Sequence, residues 1–439
     1  MNQARRRFSK LQAALFSGAM ATTASISLLV PGLSQSVRAE LQDSAKAVLD
    51  QAWQIVNREY VDGSFNKTDW EVARQELLSN NYTSREAAYT ALRKALEKLD
   101  DPYTRFMDPK QYKALLEQIS GELTGVGLRL EEDEKTKVIT VVEPLEKSPA
   151  LKAGIQAGDK ILMIDGKKTE GMTVSDAAEM IRGPENTKVT LRMAREGKGE
   201  FDIILTRAII EVAAVRSSLK NEDGKKVGYI RLQEFSAHAG EQMEVAIKKL
   251  SAEKADAFVL DLRGNPGGSL RVSIDIARMW MDTGAIVRTV NRAGASDEAQ
   301  ANRSAITDKP MVVLVDDNSA SASEILAGAL KDNKRATVIG GQTFGKALVQ
   351  SLHGLSDNSG LAVTIAHYYT PNGTDISQKG VTPDVKVEVT DEQKLKLANK
   401  PMLVATQDDP CYAQAIALLQ TTASSPRPVA GKEALVPKK

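Results

Sequence analysis

Five short apolar segments, separated by helical ones, constrain the fold of this 439-residue chain more than any other feature. The apolar segments are 227–232, 257–262, 311–315, 337–339 and 361–366. Continuous apolar runs of this length are typical of strands that are buried on both faces of a sheet. Helical patterns separate several of them, at 240–250, 272–281 and 322–330. The alternation predicts an α/β architecture, in which functional sites lie in loops at strand ends.

Two regions with different sequence patterns precede this alternating region. Residues 40–116 carry apolar side chains at helical spacing, and Asp100-Asp101-Pro102 ends one of these runs. We expect a helical N-terminal region that serves packing or forms a lid, with no residue that suggests chemistry. From about residue 121 short β-branched runs take over, with helices predicted at 149–153 and 174–181. These runs predict a separate module of five or six strands.

The charge and cysteine content exclude several function classes. Lys and Arg number 58 against 57 Asp and Glu, so the net charge of +1 gives no electrostatic case for nucleic-acid binding. The single cysteine, Cys411, cannot form an internal disulfide, and we expect it to be a small, half-buried apolar residue. Only three histidines occur, without an HExxH or CxxC pattern, so we expect neither a catalytic zinc nor another cofactor.

The first forty residues have the character of a secretion signal. Residues 5–7 are arginines, residues 11–30 carry no charge, and residues 37–39 fit a cleavage site. We predict a signal peptide at 1–39 and an exported protein. The alternative is a retained membrane anchor, because an uncharged stretch of this length can span a bilayer. Weak association with a membrane surface is a further expectation.

The segment with the clearest catalytic character is 317–330, where an apolar run leads through a turn of small residues into a helix. A serine in such a turn is exposed at a helix N-terminus, beside an N–H group that can stabilise an oxyanion. Three serines alternate with alanine there, which is more than a helix cap requires. The pattern alone does not distinguish Ser319, Ser321 and Ser323 as the nucleophile.

A serine nucleophile needs a base, and a lysine fits this chain better than a histidine. His238 and His367 lie in or beside predicted elements, and His353 lies in a predicted loop without an evident carboxylate partner. A lysine can serve once burial brings its pKa from about 10.4 toward neutrality, at a cost of about 4 kcal/mol. Lys346 is the candidate, because glycine, aromatic and aliphatic residues surround it just after an apolar run.

A second glycine-rich loop, 263–268, follows the apolar run 257–262. Consecutive glycines allow N–H groups to point inward, where one of them can act as a second oxyanion donor. The loop lacks the GxxxxGK(S/T) and GxGxxG patterns that bind phosphate, so the alternative is a plain turn between a strand and a helix.

Together these segments resemble the carboxy-terminal processing, or tail-specific, serine peptidases over residues 45–390. The matching motifs are LDDPYTRF at 99–106, LDLRGNPGG at 260–268, SASASE at 319–324, TFGK at 343–346 and GVTPD at 380–384. The resemblance implies a crotonase-like α/β peptidase core at 208–392, preceded by a helical region at 40–116. The implied activity is cleavage of protein substrates near the C-terminus, without a cofactor.

The resemblance also implies roles that the pattern left open. Ser321 would be the nucleophile, Lys346 the base, and Gln350, one helical turn further on, the residue that orients the lysine. The N–H groups of Ala322 and Gly267 would bind the oxyanion. Four polar residues would support the site: Asp261, Arg263, Glu324 and Asp332.

The middle module, 117–207, resembles a PDZ domain. Its segment Gly125-Val126-Gly127-Leu128 is similar to the loop whose N–H groups bind a free C-terminal carboxylate. Residues 148–162 match the usual continuation of the domain, and Arg182 fits a position that couples tail binding to the active site. The implied partners are proteins with free, apolar C-terminal tails.

The segment 367–376 resembles the branch from oxygenic phototrophs, whose members trim the precursor of a photosystem II reaction-centre subunit in the thylakoid lumen. We therefore expect location in the periplasm or thylakoid lumen. Residues 393–439 are expected to form a partly disordered extension. The alternatives are a PDZ adaptor without catalysis, a crotonase-type acyl-thioester enzyme, and a Ser-His-Asp hydrolase, which would need a GxSxG elbow.

Overall fold

A computed structural model of the chain describes residues 45–133 and 136–422. The predicted signal peptide and the last part of the predicted extension, 423–439, lie outside these residues. No helix in the described ranges is both long enough and apolar enough to cross a membrane.

The described residues form two compact units. One unit contains the N-terminal residues up to 114, the segment 215–235 and everything from 239 onward, and the other contains 115–214 with 236–238. The predicted range of the middle module, 117–207, falls within the second unit.

The N-terminal region is helical, as predicted. Its elements are α1 (Ala45–Glu59), α2 (Trp70–Ser79), α3 (Arg85–Glu97), the short strand β1 (Arg105–Met107) and α4 (Pro109–Ser120). Asp69 and Ser84 cap α2 and α3 by accepting hydrogen bonds from backbone N–H groups in the first turn. The apolar faces of α1 to α3 form one buried cluster with Phe106, Leu361 and Val363. This cluster anchors the helical region to the sheet that carries those residues.

The second unit is built on a six-stranded antiparallel sheet with two short helices. Its elements are β2 (Glu122–Gly125), β3 (Leu128–Glu132), β4 (Ile139–Pro144), α5 (Pro149–Lys152), β5 (Lys160–Ile164), β6 (Lys167–Lys168), α6 (Val174–Ile181), β7 (Lys188–Arg195), β8 (Gly199–Thr206) and β9 (Ala208–Glu211). The strand order is β3-β4-β5-β7-β8, with β6 on β5, while β2 pairs separately with β9. Strand β7 alternates buried and exposed residues, as expected of a sheet with one solvated face. The main sheet has six strands, within the predicted five or six, and the separate pair of β2 with β9 was not predicted. Both predicted helices are confirmed.

The remaining chain forms the α/β core. Its first elements are β10 (Val215–Glu222), β11 (Lys225–Leu232), α7 (Ala239–Ala252), β12 (Ala257–Asp261), α8 (Leu270–Trp280), β13 (Ala285–Asn291), β14 (Ser296–Gln300) and β15 (Met311–Val315). They are followed by α9 (Ala322–Asp332), β16 (Thr337–Gly340), β17 (Leu348–Gly354), β18 (Gly360–Tyr369), β19 (Val385–Lys386), α10 (Asp391–Asn399), a 3-10 turn (Pro401–Leu403) and α11 (Pro410–Thr422).

Two sheets organise this core. The first has the order β10-β11-β12-β15-β16-β19, and all its pairs are parallel except β10 with β11. Every residue of β12 and β15 is buried, which confirms the interpretation of those apolar runs. The last run, 361–366, lies instead in an antiparallel sheet, where β18 pairs with β1, β13 and β17. It is apolar because the N-terminal helices cover it.

The structure describes the predicted C-terminal extension as far as residue 422. Residues from 391 to 422 form two helices and a turn, and α11 packs its apolar side chains against the parallel sheet. Cys411 lies in this interface with only 2% of its surface exposed, and burial raises the pKa of its thiol to about 11. The expectation of a half-buried cysteine is therefore wrong, because α11 and the sheet enclose it.

Candidate active site

The turn that carries Ser321 joins two buried elements. β15 ends at Val315, and α9 begins at Ala322 with nine consecutive buried residues. Ser321 itself is half-buried and has a φ of +54°, a conformation that residues other than glycine rarely adopt. Such a backbone conformation persists only where the surrounding structure imposes it, and it is concentrated at functional sites.

The structure separates the three serines that the sequence pattern left equivalent. Ser319 and Ser323 are fully buried, whereas Ser321 is partly accessible. The Ser319 hydroxyl donates to the carbonyl oxygen of Leu262, and the Ser323 hydroxyl donates to that of Asn265, both at 2.9 Å. The two outer serines thus bind the turn to the neighbouring glycine-rich loop, and only the middle one faces accessible space.

The glycine-rich loop packs directly against this turn. A methyl group on Gly267, which has a φ of +105°, would lie 2.9 Å from Cβ of Ser321 and 3.0 Å from the nitrogen of Ala322. Within the described part of the chain, the Ala322 N–H has no hydrogen-bond acceptor. The Gly267 N–H instead donates to Oδ1 of Asn265 at 2.9 Å, while the next N–H, of Gly268, has no acceptor among these residues. One predicted oxyanion donor is therefore open, and the other is engaged.

Asn265 is a residue that sequence reasoning missed. It is fully buried, and its side-chain amide donates to the carbonyl oxygen of Leu232 at the end of β11. Its own carbonyl oxygen accepts hydrogen bonds from the Ala320 N–H and the Ser323 hydroxyl. Asn265 therefore links the central sheet, the glycine-rich loop and the serine turn. A polar residue between Gly264 and Pro266 in the glycine-rich loop was the available signal.

Glu324 holds the nucleophile turn and the lysine loop together. Its Oε2 accepts the N–H groups of Ser321 at 2.8 Å and of Lys346 at 2.9 Å. Its Oε1 accepts the Thr343 hydroxyl at 2.6 Å and the Gly345 N–H at 2.7 Å. The carboxyl group is completely buried, and this burial raises its pKa against the opposing effect of the four donors. The predicted supporting role of Glu324 thus corresponds to a direct bond to both predicted catalytic residues.

Lys346 lies in surroundings that favour its neutral form. Burial lowers the pKa of its ammonium group, and the positive charge of Arg105 lowers it further, while Asp101 and Glu324 act in the opposite direction. Its Nζ also lies 4.6 Å from the centre of the Tyr103 ring, a contact that favours the charged form and so opposes the effect of burial. A lysine with a lowered pKa can accept a proton from a serine hydroxyl.

The expectation that residues 40–116 contain no chemically relevant side chain is therefore wrong. Asp101, Tyr103 and Arg105 all act on the candidate base. The start of β1 and the loop before it bring them there, because β1 pairs with β18. β18 also pairs with β17, which follows the lysine loop. Periodicity within the helical region carries no information about this long-range pairing.

Gln350 does not lie one helical turn beyond Lys346. Residues 348–354 form strand β17, which has a bulge between Val349 and Gln350 where it pairs with β18. The Gln350 side-chain amide lies 3.4 Å from the hydroxyl of Thr364 on β18. The structure therefore gives Gln350 a cross-strand contact, and its predicted bond to the lysine stays a prediction.

The other predicted supporting residues make hydrogen bonds and ion pairs at the ends of the helices and strands near the site. Asp332 accepts hydrogen bonds from the Thr370 hydroxyl and the Asn372 N–H, which joins the end of α9 to the end of β18. Asp261 is completely buried and pairs with Arg263 at 2.7 Å, and Arg263 also pairs with Asp409 before α11. These groups stabilise the strand ends from which the catalytic loops begin.

His238 and His367 lie beside and within secondary-structure elements, as predicted, whereas the prediction for His353 is wrong. His353 lies in β17 rather than in a loop, and it does have a carboxylate partner, because its Nε2 lies 2.8 Å from Glu59. The same nitrogen lies 3.0 Å from the Ser351 hydroxyl. A catalytic triad would place the carboxylate and the serine on opposite ring nitrogens, so this cluster does not form one. His238 pairs with Glu122, and His367 lies within β18.

The second unit contains a loop suited to a carboxylate. It connects β2 to β3, and Gly127 has a φ of +77°, where a methyl group would lie 2.3 Å from Cβ of Ser148. The N–H groups of Val126 and Gly127 have no acceptor within the described part of the chain. Arg182 lies beside this loop, 3.8 Å from a methyl group built on Gly125, and pairs with Glu117 at 3.6 Å. β3 is at one end of its sheet, and no strand among the described residues pairs with its outer edge.

No group of three or more histidine, cysteine, aspartate or glutamate side chains in the described residues is arranged to hold a metal ion.

The chain is similar to known proteins over most of its length. The sequence model of peptidase family S41 matches residues 226–387, and that of a PDZ domain matches 140–195. The chain is 43% identical over 390 residues to a carboxyl-terminal-processing protease of Synechocystis sp., covering 88% of this chain and 89% of the relative. It is 42% identical to the chloroplastic carboxyl-terminal-processing peptidase 2 of Arabidopsis thaliana, covering 76% and 67% of the two chains.

Solved structures show the same similarity. The photosystem II D1 C-terminal processing protease is 36% identical, with a TM-score of 0.49 over 79% of this chain and 93% of that one. An S41 protease from Bacteroides fragilis shares the fold at 18% identity, with a TM-score of 0.53 over 85% and 97% of the two chains. The chain therefore belongs to the carboxyl-terminal-processing serine proteases of peptidase family S41, with a PDZ domain ahead of its α/β peptidase core.

Proposed function

We propose that Ser321 and Lys346 form the catalytic dyad of this protease. The observation that carries the proposal is the position of one atom, Oε2 of Glu324, which accepts the backbone N–H groups of both residues. The loops of the nucleophile and of the base are thereby fixed to a common point. The lowered pKa of Lys346 and the open N–H of Ala322 supply two further requirements of acyl transfer.

The steps follow from these positions. The neutral amine of Lys346 takes the hydroxyl proton of Ser321 as Oγ adds to the carbonyl carbon of the scissile peptide bond. The negative charge that develops on the carbonyl oxygen is bound by the N–H of Ala322 and by an N–H of the glycine-rich loop. For Gly267 to supply the second donor, its N–H has to leave Asn265.

The carbon–nitrogen bond then breaks, and the leaving amine takes the proton from the ammonium of Lys346. The product at this stage is an ester of Ser321. A water molecule loses a proton to Lys346 and adds to the ester, after which Ser321 regains its proton and leaves. The cycle consumes one water and one peptide bond and requires no other reactant.

We further propose that substrates bind through a free C-terminus at the PDZ domain. The two open N–H groups of Val126 and Gly127 would accept the carboxylate, and the tail would extend β3 as an additional strand. Leu128, Leu130 and Val174 are partly buried apolar residues on the core of this unit and suit an apolar tail. Arg182, beside the carboxylate loop, would couple tail binding to catalysis.

The substrate and location follow from the relatives. Because a solved relative is named a photosystem II D1 C-terminal processing protease, and others are cyanobacterial or chloroplastic, we propose a D1 precursor as the substrate. Cleavage of a signal peptide after residue 39 would deliver the protein to the thylakoid lumen or periplasm, with at most weak association to a membrane surface. The domain boundaries proposed from the sequence are 40–116, 117–207 and 208–392, with the extension at 393–439.

The test uses protein beginning at residue 40 and a soluble substrate with an apolar C-terminal tail, either free or amidated. We expect Ser321→Ala and Lys346→Ala each to lower kcat at least about 10³-fold. Ser296→Ala and Lys248→Ala, which alter exposed residues, are the matched controls. Amidation is expected to slow the wild type. Full activity of Lys346→Ala would disprove the proposed base, and indifference to amidation would disprove carboxylate docking.

A further inference from the structure

Tyr368 contacts the backbone of both proposed catalytic residues. It lies on β18 with 1% of its surface exposed. Its hydroxyl lies 3.2 Å from the carbonyl oxygen of Ser321 and also donates to the carbonyl oxygen of Lys346. The Tyr368 N–H donates to the carbonyl oxygen of Ala347, so the backbone places the phenol against the lysine loop.

These contacts complete those of Glu324. The carboxylate binds the N–H of Ser321 and the N–H of Lys346 through one oxygen, and the phenol binds the carbonyl of each residue through one hydroxyl. Each proposed catalytic residue is thus held on both sides of its own Cα. We propose that Tyr368 is a positioning residue for catalysis, which acts by fixing the peptide groups of the nucleophile and the base. The inference rests on the proposed Ser321–Lys346 dyad.

The contact of Tyr368 with the Ser321 carbonyl also affects the direction of the proposed oxyanion donor, the N–H of Ala322. The carbonyl of Ser321 and the N–H of Ala322 belong to one planar, trans peptide group, so they point in opposite directions. Helix bonds from Glu324 and Ile325 also reach this carbonyl, and the phenol adds a contact from outside the helix. Holding the carbonyl therefore holds the open N–H of Ala322 in the direction required for the oxyanion.

The chemistry of the phenol suits this role. Burial raises the pKa of the Tyr368 hydroxyl well above its ordinary value, so it stays a hydrogen-bond donor throughout the working pH range. Both of its acceptors are backbone carbonyl oxygens, so it does not exchange a proton with them. The residue therefore acts through Ser321 and Lys346 rather than on the substrate.

The test compares Tyr368→Phe with the wild type on the tailed substrate. The substitution keeps the ring and removes the hydroxyl, and we expect kcat to fall by about 10- to 100-fold while KM changes less than about twofold. The rate at which a fluorophosphonate labels Ser321 is expected to fall in parallel. Tyr82→Phe is the matched control, because it removes another phenol that donates to a backbone carbonyl, at 2.8 Å from Leu77, and its kcat should be unchanged.

A loss of packing alone would lower the melting temperature without this separation of kcat from KM. The double variant Tyr368→Phe/Glu324→Gln further distinguishes a positioning role from a packing role. If Tyr368 and Glu324 hold the same residues, the loss of kcat in the double variant should be smaller than the product of the two single losses. A multiplicative loss would show that the two groups act independently and would overturn the shared positioning role.

The outcomes keep the two proposals apart. If Ser321→Ala and Lys346→Ala retain activity, the dyad itself fails. If they are inactive and Tyr368→Phe has the kcat of the wild type, only the role of Tyr368 fails. Should Tyr368→Phe not fold, 3-fluorotyrosine at position 368 keeps the ring and hydroxyl and alters the strength of its hydrogen bonds. The proposal then requires a change in kcat of at least about twofold at an unchanged melting temperature, and an unchanged kcat overturns it.

Discussion

Replacing Glu324 with glutamine tests how much the site depends on one buried carboxylate. The carboxylate accepts three N–H groups, which can only donate, and the Thr343 hydroxyl, which can also accept. A glutamine has one oxygen for two of these donors, and its amino group must face the other two. If the oxygen serves Ser321 and Lys346, the amino group faces Thr343, which can turn its hydroxyl, and the Gly345 N–H, which then has no partner.

The opposite orientation would leave both the Ser321 and Lys346 N–H groups without partners, so the first is favoured. One buried donor without a partner costs about 1–3 kcal/mol, and we expect this loss in the free energy of unfolding. The unpaired group lies in the lysine loop, and a displacement of the base by about 1 Å lowers kcat by about 100-fold. Because the negative charge of Glu324 raises the pKa of Lys346, its removal should also move the acid limb of the pH–kcat profile to lower pH.

The assay combines urea denaturation with steady-state kinetics over pH. Glu241→Gln is the matched control, because Glu241 occupies the same third position of its helix, α7, but is exposed. Its change in unfolding free energy should stay within about 0.5 kcal/mol. If Glu324→Gln shows an equally small change and full kcat, the four hydrogen bonds do not organise the site and the reasoning is refuted.

Three further predictions follow from named contacts. Arg105→Gln removes a positive charge that lowers the pKa of Lys346, so the acid limb of the pH–kcat profile should move to higher pH by about 0.5 unit. Asp101→Asn removes a negative charge and should move the acid limb to lower pH. Shifts in the opposite directions would contradict this. Gly127→Ala should raise KM about tenfold for a substrate with a free tail but not for one with an amidated tail. Gly154 has a similar positive φ but open space around it, so Gly154→Ala should change KM equally for both tails. Asp409→Ala breaks a buried ion pair with Arg263 and should lower the free energy of unfolding by about 3–5 kcal/mol. The control Asp408→Ala, which alters an exposed ion pair, should lower it by less than about 1 kcal/mol. Equal losses would show that the buried pair does not stabilise the fold.

Local patterns were sufficient to predict much of the fold. The apolar runs of β12 and β15 are buried along their whole length, and the turn of small residues before α9 lies where the sequence placed it. Such features depend on side chains that are close in sequence. The pattern alone does not choose among the three serines, and Ser321 comes from the family resemblance. The different surroundings of Ser319 and Ser323 are visible only in the structure, because their hydrogen bonds go to residues more than fifty positions away.

The contributions that sequence reasoning missed depend on long-range pairing. Tyr103 reaches Lys346 only because β1 adds to β18. Tyr368 was noticed as part of a motif, but its contacts with Ser321 and Lys346 depend on the pairing of β17 with β18. The family resemblance implies that Gln350 lies one helical turn beyond the lysine, whereas pairing with β18 places the segment in a strand. The ordering of α11 likewise depends on its burial against the parallel sheet.

The central claim is that Ser321 forms an ester with the substrate after Lys346 takes its proton. The most direct measurement is rapid acid quenching of the enzyme during turnover of the tailed substrate, followed by peptide mass spectrometry of the segment that contains Ser321. We expect the acyl fragment of the substrate on Ser321 in the wild type and no acyl-enzyme in Lys346→Ala. An acyl group on another residue, or an equal yield in Lys346→Ala, would contradict it.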